Sequence, residues 1–295
     1  MIIKGWNKYS LTLTLHPSFT LSLMREDRGG YVKYLGLCRE LRLREYIDGL
    51  IAEGPCEADY IREICGIVED PLNVADEVEL RYYDIYYYLA TQWRGVGLST
   101  ASRDPDYIFI SVYLSRRTSY HNNVIRWVND LFKLVSGVND IIKLETAKLF
   151  KQPQLRGLSN AIKEYLKRVK PMIIKGRIHD VRVNLLSIGG VGPKVTYAFM
   201  LHALRLTDIA PADTHYAYLA NSIGIDFKLP RKELCIKYDC YECVHHKCLV
   251  GLSRTYFGRA LGYLQTIAFM HVKNLCKRGL CDNCLLKKYG RCKRQ

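Results

Sequence analysis

No stretch of the 295-residue chain approaches the roughly 18 consecutive apolar residues of a membrane-spanning helix. The opening MIIKGWNKYS carries no signal-peptide pattern. No low-complexity linker divides the chain, and no repeat recurs at a solenoid period. Acidic residues are the minority, 29 against 44 Lys and Arg, which leaves a net charge of +15. That excess points to a polyanionic partner, nucleic acid being the commonest. A ribosomal, heparin-like or membrane-surface partner would ask for the same sign. A hydrophobic content of 48% with 11% aromatics excludes a disordered chain. The expected protein is intracellular, in the cytoplasm or nucleoid of a prokaryote.

Cysteine is not scarce. There are 11, and eight of them fall between Cys235 and Cys292. In a reducing compartment such clustering argues for metal before disulfides. A thermophilic source stays open, because hyperthermophile cytosol retains disulfides. Cys38, Cys56 and Cys65 read most simply as buried small hydrophobes.

Residues 8–24, KYSLTLTLHPSFTLSLM, alternate: Leu11, Leu13 and Leu15 face one way, and Phe19, Leu21 and Leu23 repeat the pattern. Period two predicts half-buried strands. REDRGG reads as a turn, and YVKYLGL and ELRLREY supply further strands. The chain then turns helical, through YYDIYYYLATQW, DYIFISVYLSRR, NNVIRWVNDLFKLV, LSNAIKEYLKRV and DVRVNLLSI. A helix near 215–223 and a long one near 253–273 follow. The expected class is mainly α (α+β), with a small N-terminal antiparallel β lobe.

The stretch SIGGVGPKVTYAFM reads as a tight turn between two helices, with Gly190, Val191 and Gly192 in the turn. Pro193 suits the first helical position. Free N–H groups there can grip phosphate oxygens without reading sequence. Lys194 sits in the first helical turn, where the dipole disfavours a positive charge, and an uncharged amine is a nucleophile. Asp213, nineteen residues on, stands at the N-cap position of the next helix. A carboxylate facing such a lysine is the pair needed to break an N-glycosidic bond. In YFGRALGYLQTIAF, Gly258, Gly262, Gln265 and Phe269 share one helical face. The glycines would leave a hollow, Gln265 can donate to and accept from a base edge, and Phe269 offers a stacking surface.

GGVGPK followed by PADTH resembles the helix-hairpin-helix DNA glycosylase superfamily. The lysine marks its bifunctional glycosylase/AP-lyase members. The resemblance implies a Schiff-base nucleophile at Lys194, a catalytic aspartate at Asp213 and a two-lobed all-helical core behind the β lobe. The N-terminal strands and RGVGLSTASRDPDYIFISVYLSRRTSYHN are similar to 8-oxoguanine DNA glycosylases. So is the late helix, which implies that Gln265, Phe269 and His215 hold the extruded base. Ala198 stands where those enzymes stack a cysteine. The hairpin residues Gly190, Val191 and Gly192, with Arg116 and Arg117, are expected on DNA. The implied partition is 1–55 for the β lobe, 56–104 with 216–275 for the lobe of the pocket helix, 105–215 for the hairpin lobe, and 276–295 for a metal loop. Activity against oxidised pyrimidines, as in endonuclease III, is the alternative, and a non-catalytic, metal-stabilised DNA-binding protein is a further one. Double-stranded DNA bearing a damaged base is the expected partner of a monomer.

Cys276-x4-Cys281-x2-Cys284-x7-Cys292 is a strong metal signal. It resembles the terminal iron–sulfur loop of endonuclease III, with different outer spacings. A 4Fe–4S cluster is the first reading and tetrahedral zinc the second. Cys235-x4-Cys240-x2-Cys243-x4-Cys248 suggests a second metal site, zinc or iron–sulfur. Two disulfides, or one cluster built from both groups, are the alternatives.

Overall fold

The computed structural model describes residues 1–293, so the last two residues of the basic tail lie outside it. Five strands form one antiparallel sheet: β1 (Ile2–Lys4), β2 (Met24–Asp27), β3 (Gly30–Lys33), β4 (Arg42–Tyr46) and β5 (Gly49–Glu53). Their order is β1-β5-β4-β3-β2. The sheet is a meander from β2 to β5, closed on its far edge by β1.

The segment 8–24 differs from its period-two reading. Leu11–Leu15 is a short helix, α1, and Phe19–Leu23 is a 3-10 turn. Two serine caps decide this: Ser10 accepts from Leu13 N at 3.2 Å, and Ser18 accepts from Thr20 N at 3.1 Å. Leu11, Thr14 and Leu15 are buried at helical spacing, while Leu13 is exposed. The Thr14 hydroxyl also accepts from Gly97 N at 2.9 Å, a partner no strand pattern could supply. Of Cys38, Cys56 and Cys65, only Cys65 is the buried free thiol expected; Cys38 and Cys56 instead form a disulfide.

The rest is helical. It begins with α2 (Ala58–Ile64), α3 (Leu80–Gln92), α4 (Pro105–Leu114) and α5 (Ile125–Leu134). Short pieces follow: α6 (Thr146–Leu149), α7 (Pro153–Arg156), α8 (Leu158–Glu164) and α9 (Lys170–Ile174). Next come α10 (Ile178–Ser187), α11 (Pro193–Leu204) and α12 (Thr214–Ser222). The chain ends with α13 (Lys232–Lys237), α14 (Leu249–Phe257), α15 (Ala260–Asn274) and α16 (Leu285–Lys288). The expected helix over 253–273 is broken at Gly258, whose φ of +49° ends α14. Gly258 is therefore not on the face of Gln265.

The helix α11 is apolar all round and central, as such a helix must be. Phe199 joins the cluster that includes the sheet and α4, Leu201 joins the one formed by α3, α12 and α15, and Tyr197 and Met200 join a third. Among the described residues no helix is long and apolar enough to cross a membrane.

Candidate functional site

The hairpin forms as the residues dictate. Val191 N donates to Ile188 O at 3.1 Å, closing a turn whose third residue, Gly190, has φ +80°. That is the conformation a type II turn gives to glycine. Pro193 opens α11, and Lys194 follows it, exposed, in the first turn. Arg116 braces the turn from below. Its guanidinium donates to the carbonyls of Tyr113 at 2.6 Å and Gly190 at 3.3 Å, and lies over the Tyr113 ring at 3.5 Å. Arg117, with φ +52°, is its neighbour.

Asp213 caps α12. One carboxylate oxygen accepts from His215 N at 2.9 Å and Tyr216 N at 2.8 Å. The other accepts from the Gln265 side-chain amide at 2.9 Å. A carboxylate only accepts, so Gln265 must turn its nitrogen to Asp213 and keep its carbonyl for another partner. Gln265 is 7% exposed and Asp213 is half-buried. The expected hollow at Gly262 is absent. Its N–H is bonded to Thr207 O at 2.8 Å, and a Cβ there would press on Leu201 of α11. Gly262 allows α15 to sit close against α11, and that approach carries Gln265 to Asp213.

A cavity of about 950 Å³ gathers these groups. Its lining includes Lys194, Asp213, His215, Gln265 and Phe269, together with Gly190, Gly192, Arg116 and Arg117. The residues expected at the site are thus brought together, except Val191, which is buried beside it. Several lining groups carried no sequence signal. Pro17 and Phe19 come from the N-terminal segment, His121 from the π-turn before α5, and Lys273 and Lys277 from the end of α15 and just beyond. Phe269 stands among histidines, with ring centroids 4.8 Å from His215, 5.9 Å from His16 and 6.0 Å from His121. His16 and His121 stack at 4.1 Å. An HP dipeptide after alternating leucines was the only hint of His16.

The electrostatics are cationic apart from one carboxylate. Burial holds the His215 imidazole below its usual value; Asp213 opposes this, and Lys277, Lys194 and Lys273 reinforce it. Burial, His121 and Lys273 lower His16 to about 4. Burial and Lys273 also lower His121. These imidazoles are neutral near pH 7, which leaves the lysines as the cations facing a polyanion.

The C-terminal cysteines lie apart from this cavity. Cys276, Cys281, Cys284 and Cys292 line a space of about 400 Å³ with His271 and Leu286. Gln92 and Leu285 N bond across at 3.1 Å, and Tyr289 stacks on Tyr88 at 4.4 Å, so α3 carries the loop. Among the described residues no three His, Cys, Asp or Glu side chains close into a cage for a single ion. Cys235 and Cys248 pack in a different apolar cluster from Cys284.

No family model and no curated protein matches the chain by sequence. Solved structures do. Clostridium acetobutylicum 8-oxoguanine glycosylase/lyase, in complex with DNA containing cytosine opposite 8-oxoguanine, superposes with a TM-score of 0.69 at 14% identity, covering 92% of this chain and 97% of that one. MBOgg1 in complex with a low-affinity DNA ligand gives 0.64 at 14% identity, over 93% and 96%. The 3-methyladenine DNA glycosylase from Archaeoglobus fulgidus gives 0.64 at 12% identity, over 93% and 99%. The chain has the fold of the helix-hairpin-helix DNA glycosylases.

Proposed function

We propose that this protein is a DNA base-excision glycosylase with AP-lyase activity that removes an oxidised base, 8-oxoguanine first, from duplex DNA. The observation that carries the reading is one cavity lined by Lys194, Asp213, Gln265 and Phe269. The hairpin and the lysines at its mouth grip the backbone, and the damaged nucleotide is turned out of the stack into the cavity. Phe269 offers a face to the base. The Gln265 carbonyl accepts from its edge, which suits the donor-rich pairing edge of a guanine-type base better than a pyrimidine. Lys194, once it has given up its proton, attacks the anomeric carbon as the N-glycosidic bond breaks, and the base leaves with the bonding electrons and takes up a proton. The Asp213 carboxylate stabilises the positive charge that builds on the sugar. Ring opening yields a Schiff base between Lys194 and the sugar. Loss of a C2′ proton then expels the 3′ phosphate and nicks the strand. Cys276, Cys281, Cys284 and Cys292 are the residues that would hold a 4Fe–4S cluster, whose part is to order a basic loop beside the DNA.

The test is borohydride trapping on duplexes carrying 8-oxoguanine opposite cytosine, thymine glycol, or a plain abasic site. The expected result is a covalent adduct with 8-oxoguanine that disappears in Lys194→Gln while duplex binding persists. An adduct with thymine glycol alone moves the enzyme to oxidised pyrimidines. No adduct on any duplex overturns the lyase assignment.

A further inference from the structure

We propose that the loop 235–248 holds a zinc ion through the thiolates of Cys235, Cys240, Cys243 and Cys248, and that this site clasps the helix-hairpin-helix from behind. The proposal does not rest on the glycosylase reading. Cys235 lies on α13 and Cys248 caps α14, and both are buried. With Cys240 they pack against Leu186 of α10 and against Tyr197 and Met200 of α11, the two helices of the hairpin. The Tyr197 hydroxyl and the Cys240 sulfur are 3.4 Å apart. At the start of α14 the backbone N–H groups of Val250 and Gly251 donate to the Cys248 sulfur.

The backbone around these thiols is held in place. Buried Arg182 donates to the carbonyl of Cys235 at 2.5 Å and to that of Tyr238. Lys228 bridges to the other end of the loop, with Leu249 N donating to Lys228 O at 2.9 Å. None of the four cysteines is in a disulfide, although Cys38 and Cys56 of the same chain are bonded. The Nδ1 atom of His245, inside the loop, is buried with no hydrogen-bond partner among the described residues. The sulfurs do not already stand at the spacing of a single ion. Binding draws the more accessible Cys240 and Cys243 onto the buried pair, and each thiol releases its proton to solvent as it ligates. A closed four-thiolate site is structural, not catalytic. Its target is visible: Lys232 of α13 donates to Val191 O in the hairpin turn at 2.9 Å.

The experiment measures zinc, iron and acid-labile sulfide in the full chain, purified without air, beside Cys240→Ser/Cys243→Ser. The expected result is one zinc per chain in the parent and none in the variant, with iron and sulfide unchanged. Equal zinc in both overturns the proposal, and iron with sulfide lost in place of zinc overturns the zinc assignment. A second measurement needs no variant. Iodoacetamide is applied to the native parent protein with and without a chelator, and the modified cysteines are mapped. Labelling of 235–248 only after chelation supports the site. Labelling independent of chelator, or recovery of these cysteines as disulfides, overturns it.

Discussion

Replacing Gln265 by Leu removes the amide that tethers Asp213 while keeping an apolar side chain of similar bulk. The Asp213 carboxylate keeps its two backbone donors, His215 N and Tyr216 N, so α12 keeps its cap. It loses a charge-assisted bond of 2.9 Å at a residue only 7% exposed. Bonds to charged groups are worth about 1.5–3 kcal/mol, which is roughly ten- to hundred-fold in rate if the tether holds Asp213 in its working orientation. The assay is single-turnover kinetics on two duplexes, one carrying 8-oxoguanine and one carrying a preformed abasic site. The abasic duplex has no base to read, so any loss there belongs to the tether alone. The expected outcome is a loss of about ten-fold on the abasic duplex and a larger one on the damaged base, where the Gln265 carbonyl is missing too. An unchanged rate on the abasic duplex would refute the tether. Equal losses on the two duplexes would refute the base-reading role.

Four other outcomes follow from the same geometry. Asp213→Asn retains an oxygen to cap α12 and should melt like the parent, yet lose most of its turnover; Asp213→Ala should lose turnover and also about 1 kcal/mol of stability by thermal melting. At Gly190, with φ +80°, a Cβ would overlap the Arg116 guanidinium, so Gly190→Ala should cost on the order of 1–3 kcal/mol and weaken duplex binding in a titration. Burial lowers His202 from 6.5 to about 4; the unfolded chain therefore takes up a proton the folded one refuses, and stability should fall as pH drops from about 6.5 to about 4, an acid limb that His202→Asn should flatten in melting curves. Reducing the Cys38–Cys56 bond, which closes a loop with a sequence separation of 18, should lower stability by about 3 kcal/mol, read by denaturation with and without reductant.

The parts of the site readable in the sequence are those that neighbours along the chain define. The Gly-rich turn, Pro193 at the first position of α11 and Asp213 as a cap depend on residues within about four positions, and local backbone chemistry is enough to place them. The helical periods are legible too, except that the one over 253–273 hides the break at Gly258. Where two local signals compete, the pattern misleads: LTLTL satisfies both a two-residue and a four-residue period, and contacts from Gly95 and Gly97 to Thr14 choose between them. The pairing of Gln265 with Asp213 joins residues 52 apart, and the histidine ring around Phe269 joins α15 to positions 16, 121 and 215. The Cys38–Cys56 bond is likewise a consequence of the sheet folding back on itself. Helical and turn geometry is short-ranged, whereas these contacts exist only once the sheet has folded and the burial of α11 and α15 has brought distant segments together.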